Sequence, residues 1–302
     1  MEGDSRLPIQ WFPGHMAKAK RLMAEELRGI DVVVELADAR LPVSSRSPVL
    51  DELAQNKPRI LVLTRVDLAD RTCTERWVQV FRDEGVTAIP VNAKSGQGLR
   101  AFRRALDEVV EAKLNRARAR GIEKVITRGM VCGIPNVGKS TFVNQLAGRA
   151  VAKTGDRPGV TRSLQWIRVD RTELLDTPGV LAPKLANEEQ GLKLAASGAV
   201  KEEIFEVYEV CAFVLAYMSQ RYPDALADRY GLRVEEPVAW TTLQDVWPAV
   251  QPWFERIGRS RGALLAGGVI DEERVARMVI HDLQDGRLGP VSLEWPEDES
   301  PS

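Results

Sequence analysis

The sequence has little cysteine and no long apolar run. Its three cysteines (Cys73, Cys132 and Cys211) are widely scattered, so their spacing excludes a cysteine-based metal site and suits small core residues in a reducing compartment. No stretch of 18 apolar residues occurs, which excludes a transmembrane helix. Residues 1–5 lack the charged-then-apolar layout of a signal peptide. We therefore expect a cytoplasmic protein that does not associate with a membrane.

The chain also has almost no net charge, −1 at pH 7, but its two parts differ in sign. Residues 1–181 hold 30 Lys and Arg against 22 Asp and Glu, whereas residues 182–302 hold 12 against 21. The basic part suits a polyanion such as a nucleotide or RNA, and Arg116, Arg118 and Arg120 could bind RNA phosphates. The acidic part argues against a uniformly basic nucleic-acid binder. Ordinary solvated faces are an alternative interpretation.

A phosphate-binding loop is present at residues 133–140, G-I-P-N-V-G-K-S. A β-like apolar run precedes it and a helix-like run follows, which is the context that this motif requires. Loop amides and the new helix N-terminus would face phosphate oxygens. Lys139 would reach the β- and γ-phosphates, and the Ser140 hydroxyl would ligate Mg²⁺. The predicted phosphate-binding residues of this segment are Asn136, Val137, Gly138, Lys139, Ser140 and Thr141.

Strand-like and helix-like segments alternate before this loop. A buried strand that ends in a polar turn is predicted at residues 31–40, and further buried strands at 60–63 and 88–91, with a helix at about 74–84. Such alternation predicts a parallel, doubly wound α/β sheet. Ligands of these sheets bind at the carboxyl ends of the strands, so the polar residues that follow each strand are candidates for a site.

Two segments at those strand ends resemble guanine-reading motifs. Thr64-Arg65-Val66-Asp67 resembles [NT]-K-x-D, in which the carboxylate of Asp67 would accept from guanine N1–H and the exocyclic amine. Asn92-Ala93-Lys94 resembles S-A-K, in which a backbone amide meets guanine O6. Arg65 replaces the usual lysine and Asn92 the usual serine. A guanidinium at position 65 can still stack on a purine.

Two further segments resemble the nucleotide-sensing loops of GTPases. Residues 151–161 are rich in Gly, Pro and polar residues, which predicts a mobile loop. They resemble switch I, with Thr161 as the Mg²⁺-sensing threonine. Residues 176–179 read D-T-P-G, in which Asp176 would hold Mg²⁺ through water and the Gly179 amide would sense the γ-phosphate.

All five GTPase motifs are therefore present, but in permuted order, with the base-reading pair before the phosphate loop. Together with W-F-P-G-H at 11–15 and D-A-R at 38–40, this order resembles the YlqF/RbgA family of circularly permuted ribosome-biogenesis GTPases. The resemblance implies a Rossmann-like P-loop GTPase domain over residues 1–184 and a small all-α, RNA-contacting domain over residues 185–295. We expect residues 296–302 to form a disordered tail.

The resemblance also implies a function. Members hydrolyse GTP to GDP, and they bind the immature large (50S) ribosomal subunit, through rRNA and ribosomal proteins, in the GTP state until hydrolysis releases them. Val180 stands where many GTPases carry a water-orienting Gln, and the family points to His15 in that role. Asn136 matches a K⁺ ligand of potassium-stimulated relatives. Mg²⁺ is the implied cofactor, K⁺ a second one, and the free protein is expected to be a monomer.

Two other functions fit the same residues. Val180 and the acidic second part favour a nucleotide-gated binding switch with negligible turnover and a protein partner. An ATPase is the third hypothesis, because the phosphate loop alone does not select a base.

Overall fold

The structure, a computed structural model, describes residues 21–298 apart from residues 22, 55, 123–124, 149–164, 170 and 178–186. The chain divides into two compact units. Unit 1 comprises residues 1–185 and 294–302, and unit 2 comprises residues 186–293. The three cysteines are buried and free, as expected for core residues. Within the described ranges, no helix is long and apolar enough to cross a membrane.

Unit 1 is built on a six-stranded sheet in the order β3-β2-β1-β4-β6-β5. All neighbouring strands are parallel except β5, which pairs antiparallel with β6. All seven residues of β1 are buried, because helices cover both faces of a central parallel strand. The predicted doubly wound α/β sheet is confirmed. The strands are β1 (Val32–Asp38), β2 (Arg59–Thr64), β3 (Thr87–Pro90), β4 (Thr127–Gly133), β5 (Gln165–Val169) and β6 (Thr172–Asp176).

The described helices of unit 1 connect these strands. They are α1 (Pro48–Leu53), α2 (Arg71–Asp83), α3 (Leu99–Arg118) and α4 (Lys139–Ala147). Helix α2 begins three residues before the predicted start, because the Asp70 side chain accepts from the Cys73 amide at 2.9 Å and caps the helix there. Phe102 of α3 and Phe142 of α4 pack edge to face, with ring centroids 5.0 Å apart.

The order of the strands reverses at β1. The chain adds β2 and β3 on one side of β1 and then places β4 on the other side. Since a doubly wound sheet binds its ligand where the order reverses, the site is expected at the carboxyl ends of β1 and β4. Asp38, Thr64, Gly133 and Asp176, the last residues of β1, β2, β4 and β6, all lie at this edge.

Unit 2 is helical in its described residues, as predicted. Its helices are α5 (Glu188–Ser197), α6 (Val207–Arg221), α7 (Pro223–Tyr230), α8 (Leu243–Arg261) and α9 (Glu272–Gln284). Helix α6 is the centre of the unit, with ten of its fifteen residues buried. A 3₁₀ turn at Glu202–Ile204 precedes α6. Helix α7 begins at Pro223, a residue that favours the first turn of a helix.

The C-terminal segment differs from its prediction. After unit 2 the chain returns to unit 1, where Glu294 is buried and its carboxylate accepts from the Val43 and Ser44 amides at 2.8 and 3.1 Å. Residues 296–298, predicted to belong to a disordered tail, also lie on unit 1, and Glu297 pairs with Arg76 at 3.0 Å. The division between the two compact units falls between residues 293 and 294. Residues 299–302 are outside the described part.

Candidate nucleotide-binding site

The phosphate loop follows β4 and leads into α4, as its sequence context predicted. Gly133 ends β4 where a Cβ would lie 2.6 Å from the Leu36 carbonyl oxygen, so only glycine fits beside β1. Gly138 precedes α4 with a φ of 98°, and no side chain caps the helix. An uncapped helix N-terminus of this kind can receive an anion. Asn136, Val137 and the residues of the first turn, Lys139, Ser140 and Thr141, surround that end.

Lys139 is buried and folds back on the loop. Its Nζ donates to the carbonyl oxygens of Gly133 and Ile134 at 3.1 and 2.7 Å. Burial lowers the pKa of Lys139 to about 8, although the negative charge of Asp176 acts in the opposite direction. A buried ammonium group beside a helix N-terminus suits a polyanionic ligand, whose charge would offset the cost of burying the cation.

Asp176 supplies the feature that best fits a metal ion. It is 1% exposed, and neither oxygen of its carboxylate has a hydrogen-bond partner among the described residues. Burial raises the pKa of Asp176 above its usual value, and the charge of Lys139 offsets only part of this rise. A buried carboxylate without partners is costly, and oxygen ligands are those that Mg²⁺ prefers. Asp176 and Ser140 are therefore suited to a magnesium site, whereas the predicted ligand Thr161 lies outside the described residues.

The base-reading segment after β2 is joined directly to the phosphate loop. The Thr64 hydroxyl donates to the Val137 carbonyl oxygen at 2.6 Å, and Arg65 Nη2 donates to the Asn136 carbonyl oxygen at 2.5 Å. The exposed Asp67 follows in a turn, and none of the described residues hydrogen-bonds its carboxylate. The structure thus brings the first predicted guanine motif and the phosphate loop together.

The second predicted guanine segment follows β3. Asn92 Oδ1 accepts from the backbone amides of Lys94 and Ser95 at 2.9 and 3.2 Å, which fixes the turn. Asparagine in place of serine is thereby explained as a turn-forming residue. Ala93 lies in this turn and is buried.

One part of the site was not identified as such from the sequence. Asp38 and Arg40, quoted above only as part of a family motif, form a buried ion pair of 2.7 Å at the end of β1, and Arg65 contacts the same carboxylate at 3.4 Å. A charged residue at the end of a buried strand, with a second one two positions later, was the available signal. Of the remaining predicted site residues, His15, Thr161 and Gly179 lie outside the described residues.

These elements define a class: an α/β P-loop nucleotide-binding unit in which the predicted guanine-binding segments precede the phosphate loop. The family model described as "50S ribosome-binding GTPase" matches residues 128–232. A "Ribosome biogenesis GTPase A" of Bacillus cereus is 44% identical over 96% of this chain and 95% of its own length. The chain belongs to the ribosome biogenesis GTPase A family, as its motifs predicted.

Solved structures agree with this assignment. A chain titled "GDP-bound structue of TM YlqF" is 27% identical, with a TM-score of 0.63 over 92% of this chain and all of that one. A GNP-bound YlqF from T. maritima gives a TM-score of 0.60 at 27% identity and covers 93% of this chain and 99% of that one. The predicted P-loop GTPase fold is confirmed.

Proposed function

We propose that this protein is a GTP-hydrolysing ribosome assembly factor that binds the immature large subunit with GTP and is released on hydrolysis. The observation that carries the proposal is the pair of hydrogen bonds from Thr64 and Arg65 to the carbonyl groups of the phosphate loop. Because base and phosphate segments are one connected unit, a nucleotide that satisfies both is favoured over one that satisfies the loop alone. Family membership supplies the assembly role.

Within this proposal each segment has a chemical task. Loop residues 136–141, and the Gly179 amide for the γ-phosphate, bind the phosphates. Asp67 selects guanine, with Arg65 against the purine face and residues 92–94 at its O6 edge. Mg²⁺, when bound by Ser140, Thr161 and Asp176, would neutralise charge on the phosphates. His15 would position the attacking water, and Asn136 would provide a ligand for K⁺.

The partner would be rRNA together with ribosomal proteins. Helix α3 ends in the exposed Arg116 and Arg118, and Arg120 follows just beyond it. Arg118 pairs with Glu111 at 2.9 Å, whereas no ion pair involves Arg116 or Arg120 among the described residues. Such cations bind phosphodiesters in a salt-dependent manner. We expect the protein to act in the cytoplasm as a monomer when free.

The decisive experiment measures hydrolysis of GTP and of ATP, each with and without immature large subunits. The proposal expects GTP hydrolysis to rise strongly with subunits, and ATP hydrolysis to stay at background. An Asp67→Asn variant is the matched control, because it should bind xanthosine nucleotides in preference to guanosine nucleotides. Equal use of ATP and GTP would favour the ATPase hypothesis instead.

A nucleotide-gated switch with negligible turnover is the second candidate. The observation that favours it is Val180, which cannot orient a water molecule by hydrogen bonding. It expects GTP-dependent binding to a partner with no stimulated hydrolysis. The His15→Ala variant separates the two: in the stimulated assay it should lose most of its hydrolysis if His15 positions the water, and its GTP binding should persist.

A further inference from the structure

The Asp38 carboxylate lies between two arginines at the end of β1. Oδ1 accepts from the Arg40 amide and from Arg40 Nε, both at 3.0 Å. Oδ2 accepts from Arg40 Nη2 at 2.7 Å and from Arg65 Nη1 at 3.4 Å. Arg40 is fully buried, whereas the Arg65 side chain is 30% exposed. Asp38 thus connects a buried cation to a cation that faces the nucleotide site.

Arg65 is held at both ends of its guanidinium group. Nη1 contacts Asp38, and Nη2 donates to the Asn136 carbonyl oxygen. Arg65 and Asn136 are the two described non-glycine residues with positive φ, 56° and 57°. Residues adopt this conformation at functional sites when the surrounding contacts impose it. The two strained positions are the two that this hydrogen bond joins, so the contact and the conformation support each other.

These contacts explain why arginine suits position 65, where the guanine motif usually has lysine. A lysine ends in one ammonium nitrogen on a flexible stem, whereas a guanidinium presents several donors in a rigid plane. A lysine ammonium could donate to both acceptors, but it has no plane that the contacts to Asp38 and Asn136 could fix. Arg65 is therefore matched to Asp38 in a way that lysine would not be.

Arg40 explains how Asp38 stays ionised in this buried place. Burial raises the pKa of Asp38, but the charge and hydrogen bonds of Arg40, followed by the charge of Arg65, outweigh it and hold the pKa below its usual value. The carboxylate remains an acceptor for Arg65 as a result.

We infer that Asp38 is a positioning residue of the nucleotide site, which fixes the plane of Arg65 so that its guanidinium lies against the purine ring. The inference rests on the proposed binding of guanine nucleotides. Because stacking depends on the purine face and not on its exocyclic groups, the contribution of Asp38 is to affinity for purine nucleotides in general. Selection of guanine remains the task of Asp67.

The test uses three ligands and the full-length protein without Mg²⁺. Binding of GDP, of inosine diphosphate (which lacks the exocyclic amine) and of tripolyphosphate (which lacks a base) is measured by calorimetry for wild type, Asp38→Asn, Arg65→Lys and the double variant. Asp51→Asn serves as control, because it removes exposed ion pairs at the amino-terminal end of β2. It should bind all three ligands as the wild type does.

We expect Asp38→Asn and Arg65→Lys each to lower the affinity for GDP and for inosine diphosphate by the same factor, on the order of tenfold. The affinity for tripolyphosphate should stay within about twofold of wild type. The double variant should be no weaker than either single variant, because both remove one contact. Unchanged GDP affinity, additive losses, or an equal loss for tripolyphosphate would overturn the inference. If Asp38→Asn does not fold, Asp38→Glu replaces it in the comparison, because it keeps a charge beside Arg40 and moves the acceptor of Arg65. A wild type that binds ADP as tightly as GDP would instead refute the proposed function.

Discussion

The Thr64 hydroxyl lies 2.6 Å from the Val137 carbonyl oxygen, and both residues are buried. This contact connects the end of β2 to the phosphate loop across 73 positions of the sequence. The residue that ends β2 therefore helps to hold the phosphate loop in place without a nucleotide. A loop that is already ordered costs less conformational entropy on binding.

Replacing Thr64 with valine should therefore weaken nucleotide binding. Valine keeps the shape of threonine but removes the donor, and it leaves the buried Val137 carbonyl group without this hydrogen bond, at a cost of about 1–3 kcal/mol. We expect GDP affinity to fall roughly tenfold, as measured by calorimetry. Thr64→Ser retains the hydroxyl and should stay within about twofold of wild type. Equal affinities for the valine and serine variants would show that the hydrogen bond contributes nothing to binding.

A buried carboxylate in unit 2 predicts a pH-dependent stability. Asp282 accepts from Arg229 Nε and from the Tyr230 hydroxyl, at 2.8 and 2.9 Å, and Arg287 lies 3.1 Å away. Burial raises the pKa of Asp282, but the hydrogen bonds from Arg229, Arg287 and Tyr230 lower it by a larger amount. The pKa of Asp282 therefore lies below its usual value.

A lowered native-state pKa gives stability that is fully present above the pKa of the unfolded chain, about 3.9, and is lost as the pH falls through the lower native value. Asp282→Asn should cost about 2 kcal/mol at pH 7, since it removes charge-assisted hydrogen bonds. Thermal unfolding measured between pH 7 and pH 3 should show the difference between wild type and variant shrinking towards acid. Asp285→Asn, which removes an exposed pair with Arg287, should change little. A difference that stays constant with pH would contradict the assignment.

Much of the fold could be predicted because local patterns carry it. The apolar runs at residues 60–63 and 88–91 became β2 and β3. Asp271 caps α9, with its side chain accepting from the Arg274 amide at 3.0 Å. The phosphate loop was identified from eight consecutive residues. Apolar periodicity, capping residues and glycine positions are properties of neighbouring residues, so they can be read without tertiary structure.

The contacts that complete the site could not be predicted in this way. Asp38 and Arg65 are 27 positions apart, and Glu294 and Ser44 are 250 apart. Their pairing depends on which strands become neighbours and on where the chain returns after unit 2. The acidic run at residues 297–299 indicated disorder by composition alone. In the structure, Arg76 contacts this segment twice, through an ion pair with Glu297 and with its guanidinium carbon 5.4 Å from the centre of the Trp295 ring. Composition does not reveal a partner that lies elsewhere in the chain.

The unpartnered carboxylate of Asp176 predicts a metal-dependent step in nucleotide binding. In the wild type, Mg²⁺ should strengthen GTP binding, because an anionic ligand helps to hold the cation beside the phosphates. Asp176→Asn should lose most of this strengthening, while GTP binding measured in EDTA should remain close to wild type. The variant should also be at least as stable as wild type, since it relieves a buried carboxylate without hydrogen-bond partners. An Mg²⁺ effect of normal size in the variant would exclude Asp176 as a metal ligand.

From the contacts of Glu294 we predict that the last described residues stabilise unit 1. Its carboxylate accepts from the Val43 and Ser44 amides, and its backbone carbonyl accepts from Trp77 Nε1 at 2.9 Å. Glu294→Ala would leave the amides of the exposed Val43 and the buried Ser44 without this acceptor. The loss should cost about 1–3 kcal/mol of unfolding free energy. Glu294→Gln keeps one acceptor oxygen and should cost less.

The matched control is Glu297→Gln, which removes the ion pair with Arg76. The side chain of Glu297 is 45% exposed and that of Arg76 is 54% exposed. An exposed pair of this kind contributes at most about 1 kcal/mol. Urea unfolding of the full chain should therefore rank the variants Glu297→Gln, Glu294→Gln and Glu294→Ala in order of increasing loss. GDP should shift the unfolding midpoint of each variant upwards, because ligand binding stabilises the folded state of unit 1. If Glu294→Ala were as stable as Glu297→Gln, the buried carboxylate would not anchor the C-terminal segment in solution.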